Sequence, residues 1–291
     1  MVPAFLAHGY DVTVLDTFEY GQTSLSVWCD NPRLTIEKGD CRDGRILKPL
    51  VLINDLFIPL AGVVGASACD ANPGQAQSVN RDAIRALCGL LSGDQRVIFP
   101  NTNSGYGIGG EEFCTEESPL RPVSLYGRTK VEAEAIVMER KNSIAFRLAT
   151  VFGTSSRMRT DLLVNDFVLR AVTEGSIALY EPAARRNFIH IKDAANAFVH
   201  AEAMFNGMRG NVFNCGDSRA NMTKARLCHT IDKHVPFAWT QGQGFDPDKR
   251  DYVVSNDKLE STGWRPQRTL DDGIAELIRY YRMTTDRSGN A

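Results

Sequence analysis

Short apolar runs alternate with amphipathic stretches along most of this chain, and that alternation restricts it to few architectures. Residues 11–15 (DVTVL, ending at Asp16), 34–37, 55–61 (DLFIPLA), 96–100 (RVIFP) and 143–151 (SIAFRLATV) read as strands. Residues 79–91 and 125–140 read as helices, the second rich in Glu, Ala and Lys. Residues 2–8 read as the end of a helix capped by Gly9. Strands interleaved with helices favour an α/β fold on a parallel sheet. Beyond Gly153 the pattern loosens into an Arg-rich stretch, a helix near 162–174 and several loops, which reads as a smaller lobe. Residues 188–191 and 211–214 are expected to return to the main sheet.

Composition removes several classes of function. The chain has 291 residues, 43% hydrophobic and 23% charged, a balance that supports a packed core and excludes a wholly disordered chain. A net charge of −2 leaves no excess of Lys and Arg to neutralise phosphates, so no nucleic-acid partner is expected. No stretch of about 18 apolar residues is present, so no membrane partner is expected either. Seven cysteines and five histidines are scattered, without a C-x-x-C pair or ligand spacing. No disulfide framework and no metal site are expected, and the residues before Tyr10 do not read as a secretory signal. The expected location is the reducing cytoplasm.

The strongest chemical signal is Tyr126-Gly-Arg-Thr-Lys130. A spacing of four on a helix puts both side chains on one face. A phenol of pKa about 10 is a poor base at neutral pH, and an adjacent ammonium is expected to lower it. The pair therefore suits removal of a proton from an alcohol. Asn101-Thr-Asn-Ser-Gly-Tyr-Gly107 follows directly on a buried strand. A hydroxyl at the carboxyl end of such a strand stands where α/β folds bind ligands, and Thr102 could hold a substrate oxygen. Thr102 as a plain turn residue is the alternative reading.

Taken in order, the motifs resemble the NAD-dependent sugar epimerase/dehydratase family of extended short-chain dehydrogenases/reductases. They are Val-Thr-Val-Leu-Asp16, Gly-Asp40-Cys-Arg-Asp, Pro-Leu60-Ala-Gly62, Ser-Val-Asn80, Thr102-Asn-Ser-Gly-Tyr-Gly107 and the Tyr126/Lys130 pair. Arg147-Leu-Ala-Thr-Val-Phe-Gly153, Arg186-Asn-Phe-Ile-His-Ile-Lys-Asp193, Asn211-Val-Phe-Asn-Cys-Gly216 and Gly263-Trp-Arg-Pro266 follow. The resemblance implies a Rossmann-type doubly wound parallel sheet over residues 1–153, completed by strands from about 186–216. It implies a smaller C-terminal sugar-nucleotide lobe over 154–291. Thr102, Tyr126 and Lys130 match the family's catalytic trio, and Tyr126 and Lys130 also face the cofactor. Asp16 ends the second family strand, where a carboxylate accepts from ribose hydroxyls and repels a 2′-phosphate, so the implied cofactor is NAD. Asp40 and Cys41 match adenine-contacting positions. Leu60, Ala61 and Gly62 match the turn beside the cofactor, although Pro59 stands where many relatives have His. Asn80 matches a polar residue near that turn. For Asp40 and Asn80, turn and cap roles stay open.

The family also opens on a strand and a Gly-rich turn that the given sequence does not contain, and these are expected to precede Met1 in the native protein. The sequence leaves open an enzyme on a nucleotide-activated sugar and a non-catalytic member. Among enzymes, dehydratases of this kind carry an acid and a base directly after the catalytic hydroxyl, where this chain has Asn103 and Ser104. Neither titrates usefully at neutral pH. A 4-epimerase working through a transient 4-ketose is therefore expected, with a keto-sugar reductase or dehydratase as alternatives. Asn103 is expected to orient a substrate hydroxyl. Arg186 and Arg250 match phosphate-facing arginines, Arg157 and Arg159 add charge to the same lobe, and Thr150 and Asn165 are further candidates for sugar or phosphate contacts. His190 is read as structural. Relatives dimerise through two helices, so a homodimer is implied through residues 79–91 and 125–140, with Ile84, Leu87, Leu90 and Leu91 as a candidate apolar stripe.

Overall fold

The computed structural model describes residues 1–242 and 250–285. A short helix α1 (Val2–Ala7) leads through Gly9, at φ +81°, into β1 (Val12–Asp16), which pairs in parallel with β2 (Leu34–Lys38). Helix α2 (Gly44–Ile53), β3 (Leu56–Phe57), α3 (Ala66–Ala71), α4 (Pro73–Gln77) and α5 (Ala83–Leu90) follow. Next come β4 (Arg96–Thr102), α6 (Leu125–Met138), β5 (Ser143–Leu148), β6 (Thr150–Phe152) and α7 (Leu163–Thr173). The chain continues through β7 (Ser176–Leu179), β8 (Arg185–His190), α8 (Ile191–Ala203), α9 (Phe205–Met208), β9 (Asn211–Cys215) and β10 (Asn221–Thr223). The last elements are α10 (Lys224–Asp232), β11 (Ala238–Gln241), α11 (Asp257–Glu260) and α12 (Leu270–Thr284). The fold is α/β, as the alternation requires.

Strands β3-β4-β5-β9 form a parallel sheet, and β1-β2 a second one. Val97, Ile98, Phe99, Ile144, Ala145 and Phe146 are fully buried, because helices cover both faces of this sheet. A second core holds α7, α10 and α12 against β7 and β8, through Val164, Val168, Leu179, Phe188, Leu227, Ile274 and Leu277. That core belongs to the smaller, C-terminal part of the chain.

Five expectations need correction. The strand at 55–61 shrinks to Leu56–Phe57: it pairs with β4 alone, and Pro59 has no N–H to extend a ladder. The run 143–151 divides. Ala149 N–H is taken by the Cys215 carbonyl at the end of β9, and the chain then leaves as β6 for a three-stranded sheet β10-β8-β6. Residues 188–191 accordingly do not return to the main sheet; β8 pairs with β6 and β10, while 211–214 does return as β9. The proposed dimer stripe is largely spent internally: Ile84, Leu87 and Leu91 are buried with Leu47, Val51, Val97 and Phe99 in the protein's own core. The helix expected at 79–91 opens as a wide π-turn, Ser78–Asp82, which contains Asn80, and only then continues as α5.

Candidate active site

The buried strand β4 delivers Thr102 to its carboxyl end. There the Thr102 hydroxyl accepts from Ser104 N at 3.1 Å and pairs with Ser104 Oγ at 2.9 Å, opening a tight turn over Asn103–Tyr106. Helix α6 starts beside it, capped by Ser124 Oγ accepting from Gly127 N at 3.1 Å. A Cβ on Gly127 would lie 2.9 Å from Pro122 Cβ and 3.3 Å from the Ser104 carbonyl, so glycine lets the helix start approach the turn. Tyr126 is thereby brought near enough to the Thr102 hydroxyl to be influenced by it.

Burial raises the Tyr126 phenol to about 12, against which Arg250, the Thr102 hydroxyl and Arg159 act. Burial likewise lowers the Lys130 ammonium to about 7, opposed by Glu134. Its Nζ lies over the Phe99 ring, 4.1 Å from the centroid. The expected depression of the phenol by Lys130 is therefore not what this structure displays. Desolvation outweighs the cations, and the cations that act on Tyr126 are guanidiniums.

Sequence reasoning missed Glu134. It lies one turn beyond Lys130, on the face that Tyr126 and Lys130 share, so the repeat of four was the available signal. Its carboxylate takes Arg147 Nη2 at 2.7 Å and Asn101 Nδ2 at 2.5 Å. Arg147 in turn donates to Tyr106 Oη, whose hydroxyl donates to Asn214 Oδ1 at 2.6 Å. Strands β4, β5 and β9 and helix α6 are thus locked together below the Thr102 turn.

Arg250 Nη1 donates to Ser104 Oγ, one hydroxyl away from Thr102. Buried Arg186 donates to the carbonyls of Arg185 and Arg250, so it fixes the segment that carries Arg250. Part of the Arg250 motif, residues 246–249, lies outside the described residues. Asn103 is 1% exposed, and neither polar atom of its side chain has a partner among the described residues. Thr150 is half-buried on β6. Asn165 is a clasp: it accepts from Gly153 N at 3.0 Å and donates to the Arg159 carbonyl at 2.9 Å. His190 caps α8 by accepting from Lys192 N at 3.2 Å.

Away from the tyrosine, Asp16 ends β1 with its Oδ1 accepting from Phe18 N at 2.7 Å. Asp40 is clamped by Arg42, at 2.5 to 3.0 Å, which holds its carboxyl below the usual range. Cys41 is half-buried, and burial pushes its thiol up. Leu60, Ala61 and Gly62 form an exposed turn after β3. Buried Asn80 anchors the following residue, accepting from Val63 N at 2.8 Å and donating to Val63 O at 2.9 Å and Thr129 Oγ1 at 3.2 Å. A carboxylate at one strand end, an open backbone turn at another and the Tyr126/Lys130 helix form a donor set that fits a dinucleotide such as NAD. Among the described residues no group of His, Cys, Asp and Glu could hold a metal, and no helix is long and apolar enough to cross a membrane.

Residues 1–216 match the NAD-dependent epimerase/dehydratase family, and the chain belongs to that family. It is 24% identical over 284 residues to the low-salt glycan biosynthesis protein Agl12 of Haloferax volcanii, covering 93% of this chain and 90% of that protein. Its fold is similar to that of DesIV, a dTDP-glucose 4,6-dehydratase from Streptomyces venezuelae solved with NAD bound. The TM-score is 0.84 at 24% identity, over 97% of this chain and 92% of DesIV. It is also similar to a UDP-glucuronic acid 4-epimerase from Bacillus cereus in complex with UDP-glucuronic acid and NAD. There the TM-score is 0.81 at 19% identity, over 97% and 95% of the two chains. These neighbours place the chain in the Rossmann fold, and the NAD inferred from Asp16 agrees with the dependence of the family on that cofactor.

Proposed function

We propose that this protein is an NAD-dependent 4-epimerase of a nucleotide-activated sugar. One observation carries the choice within the family. Asn103 and Ser104 stand directly after Thr102, and Arg250, a cation, reaches that turn by donating to Ser104 Oγ. Elimination of water needs a proton donor and acceptor there; epimerisation needs neither.

Tyr126 Oη, on the helix that starts beside the Thr102 turn, takes the proton of the C4 hydroxyl. NAD, held by Asp16 and the Leu60–Gly62 turn, would supply a reversible hydride acceptor for C4. Lys130 stands one turn behind the phenol, over the Phe99 ring, and in this reading faces the cofactor. Asn103, whose two side-chain polar atoms have no partner among the described residues, is a ready partner for a sugar hydroxyl. Rotation of the 4-ketose and reprotonation by Tyr126 then yield the epimer. In this reading residues 1–153 serve mainly the cofactor and residues 154–291 mainly the sugar nucleotide.

Arg250 beside Ser104 favours one second reading, in which the sugar carries a carboxylate on the carbon next to the oxidised one. A 4-keto uronate is a β-keto acid and loses CO2 without an enzymic acid. The test is to incubate the protein with NAD and either UDP-glucose or UDP-glucuronate in D2O and follow the products by NMR. Epimerisation gives the 4-epimer without deuterium at C4. A 4-keto-6-deoxy product labelled at C5 overturns the proposal in favour of a dehydratase, and a pentose with CO2 overturns it in favour of decarboxylation.

A further inference from the structure

We propose that Ser104 and Arg250 fix the direction of the Thr102 hydroxyl proton and so make Thr102 a hydrogen-bond donor on its Tyr126 side. The inference rests on the reading of Tyr126 as the base and adds two positioning residues behind Thr102.

Backbone bonds bring Arg250 to the Thr102 turn. Asp251 N donates to the Gly107 carbonyl at 3.3 Å, and Gly109 N donates to the Asp251 carbonyl at 2.7 Å. The Asp251 carboxylate accepts from Arg185 N at 2.8 Å and from Arg185 Nε at 2.9 Å. Arg186 donates to the Arg250 carbonyl itself. The segment that carries Arg250 is therefore tied to the residues that close the turn over Asn103–Tyr106.

Each hydroxyl at this turn has one proton to give and two lone pairs to receive with. Thr102 Oγ1 accepts from Ser104 N at 3.1 Å and lies 2.9 Å from Ser104 Oγ. Ser104 Oγ accepts from Arg250 Nη1, a group that only donates. If Thr102 donated to Ser104, Ser104 Oγ would receive two bonds, and its own proton would have no acceptor among the described residues. Ser104 is 2% exposed, so bulk water does not provide one, and a stranded donor is costly. If Ser104 donates to Thr102, its proton is placed. The guanidinium favours the same order, because a hydroxyl that accepts from a cation becomes a stronger donor.

Both lone pairs of Thr102 Oγ1 are then filled, one by Ser104 N and one by Ser104 Oγ. Its proton is left for an oxygen on the other side, where the Tyr126 phenol is near enough to be influenced by it. When Tyr126 takes a proton from an alcohol, the oxygen left behind gains negative charge. An O–H already aimed at that oxygen stabilises the charge without reorganising. A Thr102 proton turned back toward Ser104 would present lone pairs to it.

The test puts difluorotyrosine in place of Tyr126 in the full chain. The fluorines bring the phenol's titration into an accessible range and report it by fluorine NMR. Ser104→Ala should raise the midpoint by about 0.5 to 1 pH unit, the worth of one hydrogen bond to the charged form. Arg250→Gln should raise it as well, partly through loss of a direct charge. In the Ser104→Ala background Arg250→Gln should raise it less, because the relay through Ser104 is already cut. Turnover of UDP-glucose and UDP-glucuronate with NAD is followed in parallel on protein with an ordinary Tyr126. There Ser104→Ala should lower kcat by about 3- to 10-fold and leave KM unchanged. An unmoved midpoint in Ser104→Ala overturns the inference, as does an Arg250→Gln shift that is equal in both backgrounds. Turnover beside an unmoved midpoint keeps the functional reading and rejects the relay. A raised midpoint in a protein that turns over neither sugar keeps the relay and counts against the functional reading.

Discussion

Glu134 on α6 and Arg147 on β5 form a buried ion pair, with Oε1 and Nη2 2.7 Å apart and about one-fifteenth of either side chain exposed. The second carboxylate oxygen holds Asn101, the residue before Thr102. One carboxylate therefore ties the helix bearing Tyr126 and Lys130 to the strand bearing Thr102. Arg147→Met would strand the Glu134 charge in the core, and a loss of about 3–5 kcal/mol is expected from urea unfolding. Glu134→Gln removes the charge that opposes the depression of Lys130. The Lys130 ammonium should then titrate below its position in the wild type, observable by NMR of the lysine side chain. An unmoved titration would refute this coupling.

Tyr126→Phe removes the base and keeps the ring. Turnover should fall by about 10²- to 10⁴-fold, the usual worth of a positioned general base. NAD affinity should change little, because the phenyl ring preserves the packing. A variant with near wild-type turnover would sink the assignment of Tyr126. A wild-type protein that binds ligand without turnover would mark a non-catalytic member.

Lys130 makes stability depend on pH in a direction opposite to that of a typical ion-paired lysine. Its ammonium titrates near 7 in the folded protein against 10.5 for an ordinary lysine, through burial. Below 7 the folded state carries the full penalty of the buried charge. Between 7 and 10.5 the unfolded chain holds the proton that the folded one has lost, so stability rises with pH across that window. Lys130→Met should flatten the rise and raise the melting temperature near pH 6.5, with a gain on the order of 1–3 kcal/mol. Differential scanning calorimetry from pH 6 to 10 checks both effects, and a melting temperature that falls in the variant would contradict the account.

Much of this fold was legible because buried parallel strands are uninterrupted apolar runs, as RVIFP before Thr102 shows. What was not legible depended on partners. SIAFRLATV reads as one strand, yet Ala149 bonds to Cys215 and the remainder joins another sheet. Ile84, Leu87 and Leu91 form a stripe that suits a partner helix equally well, and only the position of α2 and β4 shows that they are core. At the site, the spacing of Tyr126 and Lys130 was visible, but the dominance of burial over charge was not. Desolvation depends on surroundings that come from distant segments. Asn165 reads from the sequence as a candidate sugar or phosphate contact, and the sequence does not show that its side chain spans two backbone groups of its own loop.

Asp16 offers a test in which structural and chemical roles separate. Its Oδ1 accepts from Phe18 N, and Phe18 adopts φ +51°, a left-handed conformation that a bulky residue rarely takes without support. Asp16→Asn keeps an oxygen for Phe18 and removes the charge. Asp16→Ala removes both. If the carboxylate binds the ribose hydroxyls, Asp16→Asn should already weaken NAD by about 10-fold, the loss of a charged hydrogen bond, and should narrow the preference for NAD over NADP. Asp16→Ala should add a loss of stability of about 1 kcal/mol from the freed turn. Fluorescence titration with both cofactors, beside thermal melts, reads the two effects apart. Retained NAD preference in Asp16→Asn would mean that the residue shapes the loop and does not choose the cofactor.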